Sequence, residues 1–116
     1  MLSIRIKNLR LRTFIGFNEE ELKKRQDVVI NVRFDYAAEK AADTDEVDYA
    51  VNYRTITKQI IALVEDGRFM LLEKLASEVL ELVMANESVR QAEVEVDKPH
   101  ALRFADSVSV SMRAGR

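Results

Sequence analysis

Cysteine is absent from the sequence, which excludes disulfides, thiolate metal sites and cysteine nucleophiles. Histidine occurs once, at His100, so a multi-histidine metal centre is not expected. Glycine is confined to Gly16, Gly67 and Gly115, and proline to Pro99. Neither a phosphate-cradling glycine loop nor a nucleophile elbow can be found among so few breakers. No apolar run is long enough to span a bilayer. The opening Met1-Leu2-Ser3-Ile4-Arg5-Ile6-Lys7 alternates like a strand and lacks a signal peptide's apolar block. A cytoplasmic location, with no membrane partner, is therefore expected. Charge of one sign is missing too: 18 basic against 20 acidic side chains leave a net −2. That balance gives no footprint for nucleic acid or an anionic surface.

What is present suits one soluble domain over residues 1–116. Hydrophobic residues make up 47% and charged ones 33%, ordinary proportions for a globular chain. At this length much apolar surface stays uncovered, which favours self-association.

The first strand is expected over Ser3 to Ile15. Ile4 and Ile6 share one phase while Leu9 and Leu11 hold the other, so a bulge near Lys7-Asn8 is needed to keep one face inward. Asn18 to Lys24 reads as a polar loop. Val28, Ile30, Val32, Phe34 and Tyr36 then alternate with polar or smaller residues, the period-2 mark of a half-buried strand. Ala42 to Asp48 is acidic and turn-rich. Ile56, Ile60, Leu63 and Val64 fall at helical spacing after Asn52, with Gly67 near the helix's C-cap. A second helix from Leu71 to Met84 is expected to bury Leu72, Leu75, Ala76, Val79 and Val83. Ala92-Val94-Val96 and Val108-Val110-Met112 supply two closing strands.

The order is β-β-α-α-β-β. Long alternating runs predict an α+β fold with a four-stranded antiparallel sheet and both helices on one face. The other face carries Arg5, Lys7, Asn31, Arg33, Glu93, Glu95, Ser107 and Ser109. It reads either as a solvated surface or as the lining of a wet tunnel made by sheets joined at their edges.

A few side chains could carry chemistry. Glu73 lies on the margin of the second helix's apolar stripe, near its start, where backbone amides are unpaired. It could grip the N–H edge of a heterocycle; by spacing alone, pairing with Arg68 or Lys74 is the commoner situation. Lys98 ends a strand beside Pro99, a place for an oriented amine or simply for a solvated lysine. Tyr53 opens the first helix and offers a phenol, or packs with a wet hydroxyl. His100 and Arg103 follow Lys98 and suit phosphate oxygens, or form an ordinary polar loop. Each pattern is weak alone.

In combination they are less anonymous. Phe14-Ile15-Gly16 with Glu21, Asn52-Tyr53, Leu71-Leu72-Glu73-Lys74-Leu75 and Val94-Glu95-Val96-Asp97-Lys98-Pro99 resemble the dihydroneopterin aldolase/epimerase family in order and spacing, over essentially the whole chain. Arg5 to Gly16, Asn52-Tyr53-Arg54-Thr55 and His100-Ala101-Leu102-Arg103 are most similar to its triphosphate-epimerase branch. Aldolase members more often carry glycine after the lysine, and this chain does not. The resemblance implies a tunnelling fold (T-fold) whose subunits form tetrameric rings stacked into a homo-octamer, with sites at subunit interfaces. It implies a pterin substrate, no metal and no cofactor. Glu73 would hold the pterin's amino-pyrimidine edge, with backbone near Leu72 beside it, and Glu21 would contact the hydroxylated side chain. Tyr53 of a neighbouring subunit would assist proton transfer, and Lys98 would be the general acid/base. The triphosphate would fall to His100 and Arg103, with Arg54 a weaker candidate. The expected reaction is inversion at C2′ of dihydroneopterin triphosphate. Its alternatives are aldolase cleavage in folate synthesis and non-catalytic pterin binding.

Overall fold

The computed structural model describes residues 1–116. Four long strands form the antiparallel sheet: β1 (Leu2–Ile15), β2 (Gln26–Tyr36), β4 (Val89–Pro99) and β5 (Ser107–Gly115). A two-residue strand, β3 (Arg68–Phe69), adds in parallel to the end of β1, giving the order β3-β1-β2-β4-β5. Two long helices, α3 (Tyr53–Glu65) and α4 (Leu72–Met84), cover one face. This is the expected architecture with a fifth, short strand added, because two residues are too few to show a period.

The bulge lies where the phase change requires it. Pairing of β1 with β2 slips between Ile6 and Leu9. Asn8 takes a left-handed φ of 54°, which asparagine tolerates better than most residues. Its amide donates to Asn31 Oδ1 at 2.9 Å, and Asn31 Nδ2 returns a bond to Asn8 Oδ1 at 3.3 Å. Beyond the slip the inward positions become Leu11, Thr13 and Ile15, all buried. They meet Val28, Ile30, Val32, Phe34 and Tyr36 from β2, and Ala92, Val94 and Val96 from β4.

Ile56, Ile60 and Val64 turn the buried stripe of α3 toward that layer, and Leu75, Ala76, Val79, Leu80 and Val83 do so from α4. Leu72, expected in the core, is only half-buried at the first turn of α4. Asn52 caps α3, accepting from the amides of Arg54 and Thr55 at 3.1 Å. At the other end Asp66 is the C-cap and Gly67 follows without a left-handed φ. Close packing explains Gly67 instead: an added Cβ would meet the Phe69 ring and lie 2.9 Å from the Leu63 carbonyl.

Two segments read as loops contain short helices. Asn18 to Lys24 holds α1 (Glu19–Lys23), and α2 (Glu39–Thr44) precedes a 3-10 turn at Val47–Tyr49. Charged composition hid both, since neither buries an apolar stripe. On the uncovered sheet face Arg5, Arg33, Glu93 and Arg113 stand opposite one another across four strands. No helix is long and apolar enough to cross a membrane.

Candidate active site

The inward register of the sheet changes character at one end. After Leu11 comes Thr13, before Val28 comes Gln26, and after Val94 and Val96 comes Lys98. Three polar side chains thus occupy positions that belong, by alternation, to the core. Each is provided for. Thr13 Oγ1 donates to the Gly67 carbonyl at 3.2 Å, and Gln26 Nε2 to the Ile15 carbonyl at 2.6 Å. Lys98 Nζ is ion-paired with Glu21 Oε2.

That pair is sheltered, with side-chain exposures of 13% for Lys98 and 18% for Glu21. Lys98 is therefore no solvated strand-end lysine. Glu21 is positioned by a capping box: Asn18 Oδ1 accepts from the Glu21 amide at 2.8 Å, while Glu21 Oε1 accepts from Asn18 N at 3.3 Å and Phe17 N at 3.2 Å. Gly16 makes room for it. Its φ is +117°, and a Cβ there would occupy the space of the Glu21 carboxylate, so no other residue fits without moving the acid.

The hydrogen bond from Lys98 is the main cause that holds the Glu21 carboxyl below its ordinary 4.5. Burial opposes it, and the Asn18 amide, the Lys98 charge and Gln26 reinforce it. A lowered folded-state value means the unfolded chain binds this proton more readily, so the stabilisation is complete above 4.5 and disappears as pH falls through the lower folded value. Glu21→Gln should accordingly melt below wild type at neutral pH, with the gap closing once pH drops below 4.5. Thermal melts at pH 7 and at steps below pH 4 would check this; a gap that does not shrink would contradict the pairing.

The helix α4 begins at the same end. Gly16 N donates to the Phe69 carbonyl at 2.9 Å, tying the strand-end turn to the segment that runs through Leu71 into Leu72 and Glu73. No side chain caps α4, so its first amides face outward with the positive end of the helix dipole. Glu73, exposed in that first turn, takes neither of the partners that spacing suggested. Lys74 pairs with Glu78 at 3.9 Å. Arg68 lies 3.8 Å over the Phe14 ring and donates to the Leu22 carbonyl at 3.3 Å. An unpaired carboxylate beside uncapped amides can accept two N–H groups of a planar ligand while the backbone donates to it.

Tyr53 lies elsewhere. The chain leaves β2 at Tyr36, opposite the site end, and α3 starts there. Asn52, Thr55, Ala85 and Asn86 line one hollow, which puts the start of α3 beside the end of α4. Tyr53 opens a helix of 13 residues that runs to the site end, about 20 Å long at 1.5 Å per residue. Its side chain is 52% exposed, so it is not a packing residue, and Arg54 beside it is exposed as well.

Beyond the Lys98–Glu21 pair opens a cleft of about 340 Å³ lined by Asn18, Glu20, Lys24, Arg25, Gln26 and His100. His100 has a left-handed φ of 66° directly after Pro99, a costly conformation for a residue with a Cβ. Arg103 does not line this cleft, and its guanidinium lies 5.8 Å from the Phe104 ring centroid. No cluster of three or more His, Asp or Glu side chains could hold a metal ion. Sequence reading missed Gln26, Asn18 and Lys24. The first was visible as a polar residue in the core phase of β2, the second as the Asn-x-x-Glu box; Lys24 carries no local signal.

Residues 4–113 match the family model described as dihydroneopterin aldolase. The chain is 57% identical over 116 residues to dihydroneopterin triphosphate 2′-epimerase of Pseudomonas aeruginosa, covering 100% of this chain and 94% of that one. It is 58% identical over 109 residues to the Escherichia coli protein of the same name, covering 94% and 91%. The crystal structure of Escherichia coli dihydroneopterin aldolase in complex with neopterin superposes with a TM-score of 0.94 at 30% identity, over 99% of this chain and 100% of that one. A matched fold, a whole-chain family match and relatives above half identity agree with the sheltered lysine, its carboxylate and the free acid at the helix start: the chain belongs to the dihydroneopterin aldolase family.

Proposed function

We propose that this chain is a cytoplasmic epimerase that inverts C2′ of 7,8-dihydroneopterin triphosphate, giving 7,8-dihydromonapterin triphosphate without metal or organic cofactor. The observation that carries the reading is Lys98, a sheltered amine hydrogen-bonded to Glu21 at the polar end of the core register. The identity of 57–58% to two proteins named for this epimerisation supports the choice of reaction.

In this reading Glu73 accepts the N–H groups of the amino-pyrimidine edge, and the amides around Leu72 donate to the ring. The side chain of the substrate then reaches Glu21 and Lys98. Loss of the 2′-hydroxyl proton, with delivery of a proton to N5, breaks the C1′–C2′ bond and leaves the electron pair in the dihydropterin ring. Lys98 is the acid/base for these transfers, assisted by Tyr53. Re-addition of the aldehyde through its other face restores the bond with C2′ inverted.

Tyr53, placed at the far end of its own chain, serves the site of a neighbouring copy. Exposed apolar side chains gather at both ends: Phe17, Leu22, Met70, Leu71, Leu102 and Phe104 around Lys98, and Val47, Tyr49 and Tyr53 opposite. Joining unlike ends closes into a ring where the rotation between copies allows it. β5, together with the part of β1 that β3 leaves unpaired, Leu2 to Thr13, offers free edges that suit strand pairing between copies. Two stacked tetrameric rings, an octamer, are the proposed assembly. His100, and Arg103 or the neighbour's Arg54, would meet the triphosphate.

Aldolase cleavage is the second reading, favoured by likeness to an aldolase crystallised with neopterin. Incubating the purified chain with dihydroneopterin triphosphate and separating the products on a chiral phase decides between them. A 2′-epimer that keeps its phosphates is expected. Free aldehyde with 6-hydroxymethyl-dihydropterin would make the chain an aldolase, and binding without turnover would make it a pterin-binding protein.

A further inference from the structure

The cleft beyond Lys98 and Glu21 includes neither Leu72 nor Glu73. With the pterin ring at Glu73, the cleft is left for what the ring carries: C2′, C3′ and the phosphates. Its cations are not equivalent. Lys98 is committed to Glu21. Arg25 lies over the Phe14 ring at 5.4 Å and donates to the Glu65 carbonyl at 3.2 Å. Lys24, the C-cap residue of α1, lines the cleft with its amine engaged by no carboxylate, and His100 lines it from across the end of β4.

We propose that Lys24, with His100, forms an anion subsite that keeps the aldehyde fragment in place between bond cleavage and bond re-formation. The inference rests on the epimerase reading above. Breaking C1′–C2′ divides the substrate unequally: the pterin keeps C1′, and the aldehyde fragment, C2′ and C3′, keeps all three phosphates. Glu73 no longer tethers that fragment. A cation beside the reacting atoms does, and a held fragment can turn and re-add, whereas a released one ends the reaction as cleavage. The positive subsite is thus a determinant of reaction outcome as well as of affinity. No oxidant, reductant or further reactant is needed, because the same bond is broken and remade and both protons are returned.

The test compares wild type, Lys24→Ala and Lys24→Arg on dihydroneopterin triphosphate and on dihydroneopterin. With the triphosphate, Lys24→Ala should raise both KM and the ratio of released aldehyde to epimer by about tenfold, the loss of one charge-assisted hydrogen bond. With dihydroneopterin both quantities should stay at wild-type values, and Lys24→Arg should behave as wild type with either. An unchanged ratio in Lys24→Ala, or equal changes with both substrates, overturns the inference. A wild-type chain that inverts neither substrate refutes the epimerase reading instead. Calorimetry with inorganic tripolyphosphate then decides the subsite independently: binding that weakens in Lys24→Ala upholds an anion site, and equal binding removes it.

Discussion

Lys98→Ala is expected to slow inversion at C2′ by about 10²- to 10⁴-fold, the span usual for a lost acid/base, while dihydropterin binding stays largely intact. The asymmetry follows from where the two functions sit. In the proposed reading Glu73 and the amides of α4 would hold the ring from the helix start, and Lys98 would approach from the end of β4. Removing the amine also leaves Glu21 sheltered without its partner, so the melting temperature must be followed alongside the rate. A pterin titration and a stopped assay on the same preparation separate the two effects. Turnover near the wild-type rate would remove Lys98 from the chemistry. Loss of pterin binding in a folded variant would show that the amine anchors the substrate instead of transferring protons.

The second large effect concerns assembly. Tyr53→Phe and Lys98→Ala, each prepared alone, should be nearly inactive. Mixed by co-expression or by dissociation and reassembly, they should recover activity at about a quarter of the sites. That fraction is what random assortment gives when each site draws one residue from each of two ring neighbours. The distance along α3 makes the alternative easy to recognise: if a single chain supplied both groups, no mixture of the two could restore an intact site. Recovery in the mixture, together with the mass of the reassembled particle, would establish the shared site and its stoichiometry. Failure to recover in particles shown to be mixed would place Tyr53 outside the reaction.

Much of the fold was legible because its periods are clean. The alternation from Val28 to Tyr36 and the stripes of α3 and α4 each bury the residues their spacing predicted, apart from half-buried Leu63 and Leu72. The clash of phase between Ile6 and Leu9 placed the bulge near Lys7-Asn8, where the register slips. α1 was missed for a chemical reason: Glu19, Glu20, Glu21, Lys23 and Lys24 give no apolar stripe, and only the reciprocal bonds of Asn18 and Glu21 reveal a helix start. The candidate site came from likeness and scarcely from pattern. Lys98 and Glu21 are 77 positions apart, and nothing in local spacing brings them together. Continuing the inward phase of Val94 and Val96 by two residues would have flagged Lys98, since a lysine seldom occupies a core position unpaired. The freedom of Glu73 could not be read at all, because it depends on Arg68 choosing the Phe14 ring and Lys74 choosing Glu78.

The asparagine bulge has a consequence for how this chain can vary. Even-numbered residues of β1 point inward before Asn8 and odd-numbered ones after it, so one supernumerary residue resets parity for the rest of the strand. Pairing every residue in turn, without the bulge, would aim Arg10 and Arg12 at the helices and turn Leu11 and Thr13 outward, and the damage would travel to Gly16 and the acid resting on it. Deleting Asn8 would instead leave Ile4, Ile6, Leu9, Leu11 and Thr13 in one unbroken inward phase. Loss of a single residue from β1 should therefore be absorbed best at the bulge itself, by straightening the strand.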